Sequence, residues 1–221
     1  MDWRPLLLSF QFSGVATLVA GVAGVALAAL LANRRFFGRD LIDAIVTGPM
    51  VLPPTVLGYY VLVTLGRRSL LGHAYENAFG TPIVFTATGA VVAATIVALP
   101  LVVKSARAAL EGVDATLVSA ARTLGASAVR AIVTVQLPLA ARGIIAGLVL
   151  GFARSLGDFG VTLMVAGNIP GETQTASLAI YDAIQANRDD DALGMVVVMS
   201  ALAIAALYGV SKLAASNTDE R

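Results

Sequence analysis

Residues 5–33 read PLLLSFQFSGVATLVAGVAGVALAALLAN, 29 positions without one charged side chain. A helix that crosses a bilayer needs about 20 mainly apolar residues, and this run exceeds that. Ala26-Leu27-Ala28 has the small-residue pattern of a signal cleavage site. A signal core is only about 7–15 residues long, however, and Arg34 and Arg35 stand behind this run as an anchor would require. The stretch therefore reads as a retained spanning helix.

Four more runs follow. Residues 44–66 and 77–103 are uncharged, residues 143–171 carry only Arg154 and Asp158, and residues 192–211 are uncharged again. The expectation is an all-α integral membrane protein of five spans, near 8–32, 42–65, 82–103, 142–166 and 192–213, in one membrane domain over residues 1–221. Composition agrees: 57% of the 221 residues are hydrophobic, 13% are charged, and the mean hydropathy is +0.83. A soluble domain carries about a quarter charged residues. The net charge of +1 suggests no nucleic-acid partner. The chain has no Cys and one His, His73, which excludes thiolate metal sites and Cys nucleophiles and leaves no His cluster. No cofactor, no metal site and no catalytic residue is expected. The phosphate-binding Gly-Lys-Ser/Thr loop is absent, so any ATP-driven work needs another polypeptide.

Orientation follows from the basic residues. With the N-terminus outside, ten of them fall inside, Arg35 and Arg221 among them; four fall outside and Arg154 lies in the membrane. The acidic run Asp189-Asp190-Asp191 then lies outside, as a solvated turn or as a contact for a basic patch on an external protein. The odd count of spans and the lack of an internal repeat argue against inverted-repeat carriers.

The longest inside segment, 104–141, is not a featureless loop. Leu117, Ala120, Ala121 and Leu124 follow the i, i+3, i+4, i+7 spacing of an amphipathic helix. Asp114 suits its N-cap and Gly125 its left-handed end. A second short helix is expected from Ser127 to Gln136, with Pro138 opening the next span. On shape alone this is either a helix lying on the membrane or a docking element.

Several other positions carry weight. Pro53-Pro54 interrupt the second run, as a packing kink or as a broken helix lining a pathway. Gly143, Gly147, Gly151 and Ser155 make a small-residue face for close contact, within the chain or across a dimer. Arg154 falls near mid-membrane, where an unpaired charge is costly. Its four-residue spacing from Asp158 suggests a mutual pair; the alternative is an Arg154 that faces a pathway.

Ser119-Ala120-Ala121, Gly125, Val135 and Leu137-Pro138 resemble, at the same spacing, the coupling motif of ABC importer permeases, with Ser119 where the family has Glu. Leu52-Pro53-Pro54-Thr55-Val56, Gly157-Asp158-Phe159-Gly160 and Gly167-Asn168-Ile169-Pro170-Gly171-Glu172-Thr173 are similar to segments of its molybdate branch, where Glu is usual in place of Asp158. The resemblance implies a type I importer-like fold in the inner membrane, with Ser119, Ala120, Ala121, Gly125, Leu137 and Pro138 facing an ABC ATPase subunit. It also implies an external molybdate-binding protein, a permease homodimer, and a pathway near Pro53, Pro54, Arg154 and Asp158. Sulfate or tungstate import by the same machinery, and an ATP-independent carrier or channel, are the alternatives.

Overall fold

The computed structural model describes residues 2–34 and 36–215, which form helices and connecting turns without a strand. Arg35 and Arg221, expected on the inner side, lie outside the described residues. Four helical stretches are long and apolar enough to cross a membrane: Arg4–Asn33, Ala87–Glu111, Ala128–Leu156 and Asp189–Lys212. A fifth crossing is available as a bent pair, Arg39–Val51 with Pro54–Leu65.

Helix α1 (Arg4–Asn33) begins with Pro5 in its first turn, where a missing N–H costs nothing. Its buried stripe runs Ser9, Ser13, Ala16, Ala20, Gly24, Ala28 and Leu31. Small residues at this spacing let α1 lie close along α5 (Ala87–Glu111), the central helix of the molecule. Helix α8 (Leu137–Leu156) packs on α5 beside α1, and the two also touch each other. A Cβ added at Gly143 would lie 2.5 Å from Ala109 Cβ, at Gly147 2.6 Å from Ser105 Cβ, and at Gly151 2.8 Å from Val102. The glycine stripe therefore serves contact inside the subunit.

The second span is not one helix. Helix α2 (Arg39–Val51) and helix α3 (Pro54–Leu65) meet at a bend of 119°. A residue before proline is driven from the α region, and here two successive residues precede prolines. Leu52 (φ −67°, ψ 138°) and Pro53 (φ −55°, ψ 137°) are both extended, and Pro54 restarts the helix in the first turn, where its ring is tolerated.

Two boundaries differ from the sequence expectation because a charged side chain need not end a helix. Helix α5 continues through Lys104, Arg107 and Glu111. The next rod starts at Ala128 as α7 (Ala128–Ala131), passes through a π turn over Ile132–Gln136 and continues as α8. The inside loop therefore shrinks from 104–141 to 112–127, with α6 (Ala115–Thr123) in it. The fourth run breaks instead at its outer part, where α9 (Gly160–Ala166) follows a turn. On the outer side α4 (Leu70–Phe79) holds His73 on an exposed face, and α10 (Ala176–Gln185) precedes α11 (Asp189–Ala215). Asp189, Asp190 and Asp191 form the first turn of α11, where acidic side chains favour the helix dipole.

Candidate functional site

The inside segment is built by three caps. Asp114 Oδ1 accepts from Thr116 N at 2.8 Å and opens α6. Hydrogen bonds from the Thr116 backbone, then from its side chain, hold the Asp114 carboxyl below its ordinary range. Helix α6 ends on a paired capping motif: Ala126 N donates to Ala121 O (3.1 Å), and Gly125 N donates to Arg122 O (3.0 Å). Gly125 has φ +94°, which a side chain resists. Ser127 Oγ then accepts from Arg130 N at 3.2 Å and starts α7.

These caps leave α6 with no buried residue. Ser119 and Ala120 are exposed or nearly so, Ala121 is half-buried, and Leu117 and Leu124 are 48% and 89% exposed. The apolar face expected from the spacing exists, and α7 and the π turn touch α6 while leaving Leu117, Ala120 and Leu124 exposed. Leu137 is half-buried and Pro138 exposed. Pro138 sits inside a continuous rod, where its ring would crowd the carbonyl four residues back. The π turn just before it, closed by Leu137 N to Ile132 O, widens the helix at that point. Buried Gln136 donates from Nε2 to Leu110 O at 3.1 Å and so pins the π turn of the following rod to the last turn of α5.

A second region lies where two broken spans meet. A Cβ added at Gly160 would lie 2.6 Å from Pro54 Cβ, and one at Gly58 2.7 Å from Met164 Cβ. Helices α3 and α9 thus start together and pack side by side, with Pro53 and Pro54 exposed at the bend. Arg154 and Asp158 do not share a helix face, because α8 stops at Leu156. Asp158 is nevertheless 3.6 Å from Arg154 Nη1 through Oδ1. Its Oδ2 accepts from Thr162 N and Thr162 Oγ1, both at 2.9 Å. The carboxylate is 1% exposed, while Arg154 is 43% exposed. Asp158 therefore caps α9 first and meets Arg154 second. Residues 119–125, expected to couple to an ATPase, and the Pro53/Asp158 group form two separate regions.

Two polar clusters escape a reading of the sequence. At the inner end, Asp43 lies 3.2 Å from both Lys104 Nζ and Arg107 Nη1, and Arg107 Nε donates to Glu111 at 2.8 Å. Arg39 Nε donates to Leu31 O at 2.9 Å and Nη2 lies 3.5 Å from Glu111. Only Arg107–Glu111, at i, i+4, carries a local signal. At the outer end, Asn168 Nδ2 and Gln174 Nε2 donate to Asp182 Oδ2 at 2.7 and 2.8 Å. The amides of Glu172, Thr173 and Gln174 converge on Ile169 O, folding the segment into a knob.

The chain belongs to the family of binding-protein-dependent transport system inner membrane components, whose model matches residues 22–219. It is 44% identical over 207 residues to the molybdenum transport system permease protein ModB of Escherichia coli K12, covering 93% of this chain and 90% of that one. It is 50% identical over 156 residues to the ModB of Haemophilus influenzae, covering 71% and 68%. Among solved structures, the MetNI methionine ABC transporter in an inward-facing form matches with a TM-score of 0.69 at 17% identity. That match covers 95% of this chain and 94% of the other and shows a shared fold.

Proposed function

We propose that this chain is the transmembrane subunit of an ATP-driven importer of molybdate. Two copies form the pathway, two ABC ATPase subunits dock on the inside, and an external binding protein delivers the oxyanion. The observation that carries the reading is α6, whose Leu117, Ala120 and Leu124 are all left exposed. An apolar helix face of this kind, held by caps rather than by packing, suits a cleft on a partner. Ser119 gives that contact a hydroxyl where a carboxylate is usual. The similarity to molybdenum permeases, together with the outer segment Gly167–Thr175, favours molybdate over sulfate or tungstate.

The chain performs no covalent chemistry. ATP binding draws the ATPases together, the segment around Gly125 moves with them, and the spans around Pro53-Pro54 and Arg154 alternate between outward and inward access. Arg154, in the last turn of α8, offers a passing dianion a favourable charge, and Asp158 beside it keeps that attraction weak enough for release. The test is reconstitution of the permease with its ATPase and binding protein in proteoliposomes. ATP-dependent accumulation of molybdate is expected. Uptake without the ATPase would favour a carrier, and preference for sulfate or tungstate would reassign the substrate.

A further inference from the structure

We propose that the ion-pair cluster of Arg39, Asp43, Lys104, Arg107 and Glu111 is a transmission joint. Through it, displacement of the inside segment reaches the bend at Pro53-Pro54, and Asp43 is the positioning residue that holds α2 to α5. The inference rests on the proposed function and names a part of it.

Three observations converge on this joint. First, the inside loop leaves from the last turn of α5, and the rod that follows the loop is fastened back to that turn. Glu111 closes α5 one residue before Gly112, and Gln136 reaches back to Leu110 O. Any pull on α6 arrives there. Second, α2 has no buried residue, and its apolar contact with the core is limited to half-buried Ile42 and Val46. What fixes its inner end is charge: Asp43 between Lys104 and Arg107, and Arg39 on Leu31 O and Glu111. The side chains of Asp43 and Arg107 are only 24% and 19% exposed, so water screens this pair less than an open surface pair. Third, the outer end of α2 is the bend itself, whose Pro54 rests on Gly160 at the start of α9.

The chemistry suits a joint better than a weld. Packed side chains forfeit a quarter to a half of their attraction over a gap of about 0.5–1 Å. Coulomb attraction falls only as the inverse of distance. Helix α2 can therefore pivot on Lys104 and Arg107 without letting go, whereas the glycine-packed α5 and α8 move together.

The test uses the full permease–ATPase–binding-protein complex in proteoliposomes and reads molybdate accumulated per ATP hydrolysed. Asp43→Ala is expected to lower that ratio at least about fivefold, the lower end of an ordinary coupling free energy. Asp43→Glu should stay within about twofold of wild type on the same scale. As a second arm, Asp43→Cys with Lys104→Cys, joined by a short bifunctional thiol reagent, should keep the ratio that the unjoined pair loses. An unchanged ratio in Asp43→Ala, or arrest by the cross-link, overturns the joint. Should Asp43→Ala fail to assemble, the cross-linked pair decides alone. A wild-type complex with no ATP-driven molybdate uptake instead overturns the proposed function, and the inference with it.

Discussion

Asp158 stands two residues past the end of α8, and its neighbours explain why a four-residue spacing misleads there. The carboxylate spends one oxygen on Thr162 N and Thr162 Oγ1, and the other faces Arg154. Asparagine is as good a cap as aspartate, while alanine is not. Asp158→Asn is therefore expected to leave thermal stability in detergent nearly unchanged. Asp158→Ala should cost about 1 kcal/mol, up to about 2. Arg154→Gln with Asp158→Asn removes both charges but keeps the cap, and so isolates charge from folding. Loss of oxyanion uptake in that double variant, with normal membrane levels and ATPase assembly, assigns Arg154 to the pathway; retained uptake assigns the pair to structure. The exchange Arg154→Asp with Asp158→Arg is a poorer probe, since a guanidinium at position 158 has no acceptor to offer Thr162 N. Gly125 gives a different kind of test. An added Cβ there meets nothing within 4 Å, so the obstacle is φ +94° alone. Gly125→Asp should cost about 1–2 kcal/mol locally. It should leave the permease in the membrane yet abolish ATPase co-purification or uptake. Normal values of both would remove Gly125 from the docking surface.

At the scale of elements, α6 is held by its ends, so it reports on its caps. The Asp114 carboxyl titrates below its unfolded value because Thr116 hydrogen-bonds the ionised form. Its contribution is thus full above the ordinary carboxylate pKa of about 3.9 and is lost only as pH falls through the lower folded value. Asp114→Asn should remove this dependence. Spin-label mobility at Thr123 followed from neutral pH downward would reveal it, and identical curves for both proteins would refute the cap's role. Helix α6 is legible in the sequence because its caps and its face are written in residues 114–125 alone. The bend at Pro53-Pro54 is legible as a break, since prolines act locally, but its 119° angle is not. The break after Leu156 is hidden, because Arg154 and Asp158 four residues apart suit one continuous helix as well as a turn. Helix ends at Glu111 and Ala128 elude any reading that sets membrane edges at the first charge. Asp43 cannot disclose its partners, which lie 61 and 64 positions away at Lys104 and Arg107.

For the whole molecule, a chain without Cys allows labelling at single introduced sites. Glu172 is exposed on the folded outer segment, and Leu70 is 87% exposed at the start of α4. Ser69 is a poorer choice, because its Oγ caps Gly72 N. A cysteine introduced at position 70 or 172 should react with an impermeant reagent added to sealed cells, and one replacing Ser127 should not. Reaction at 127 from outside would invert the orientation. The length of α1 has a consequence for the lipid around it. Its 30 residues span about 45 Å, whereas hydrocarbon is about 30 Å thick. Such an excess is absorbed by tilt or by local thickening of the bilayer. Helix α1 cannot tilt by itself, because Gly24 and its small neighbours are closed against Val102 of α5. The inclination of α1 is therefore imposed on α5, and through the glycine stripe on α8. Acyl-chain length should accordingly act on turnover without touching any transport residue. Proteoliposomes of shorter- and longer-chain phosphatidylcholines should differ in molybdate uptake rate at equal protein, with the membrane's own thickness serving as a setting of the machine.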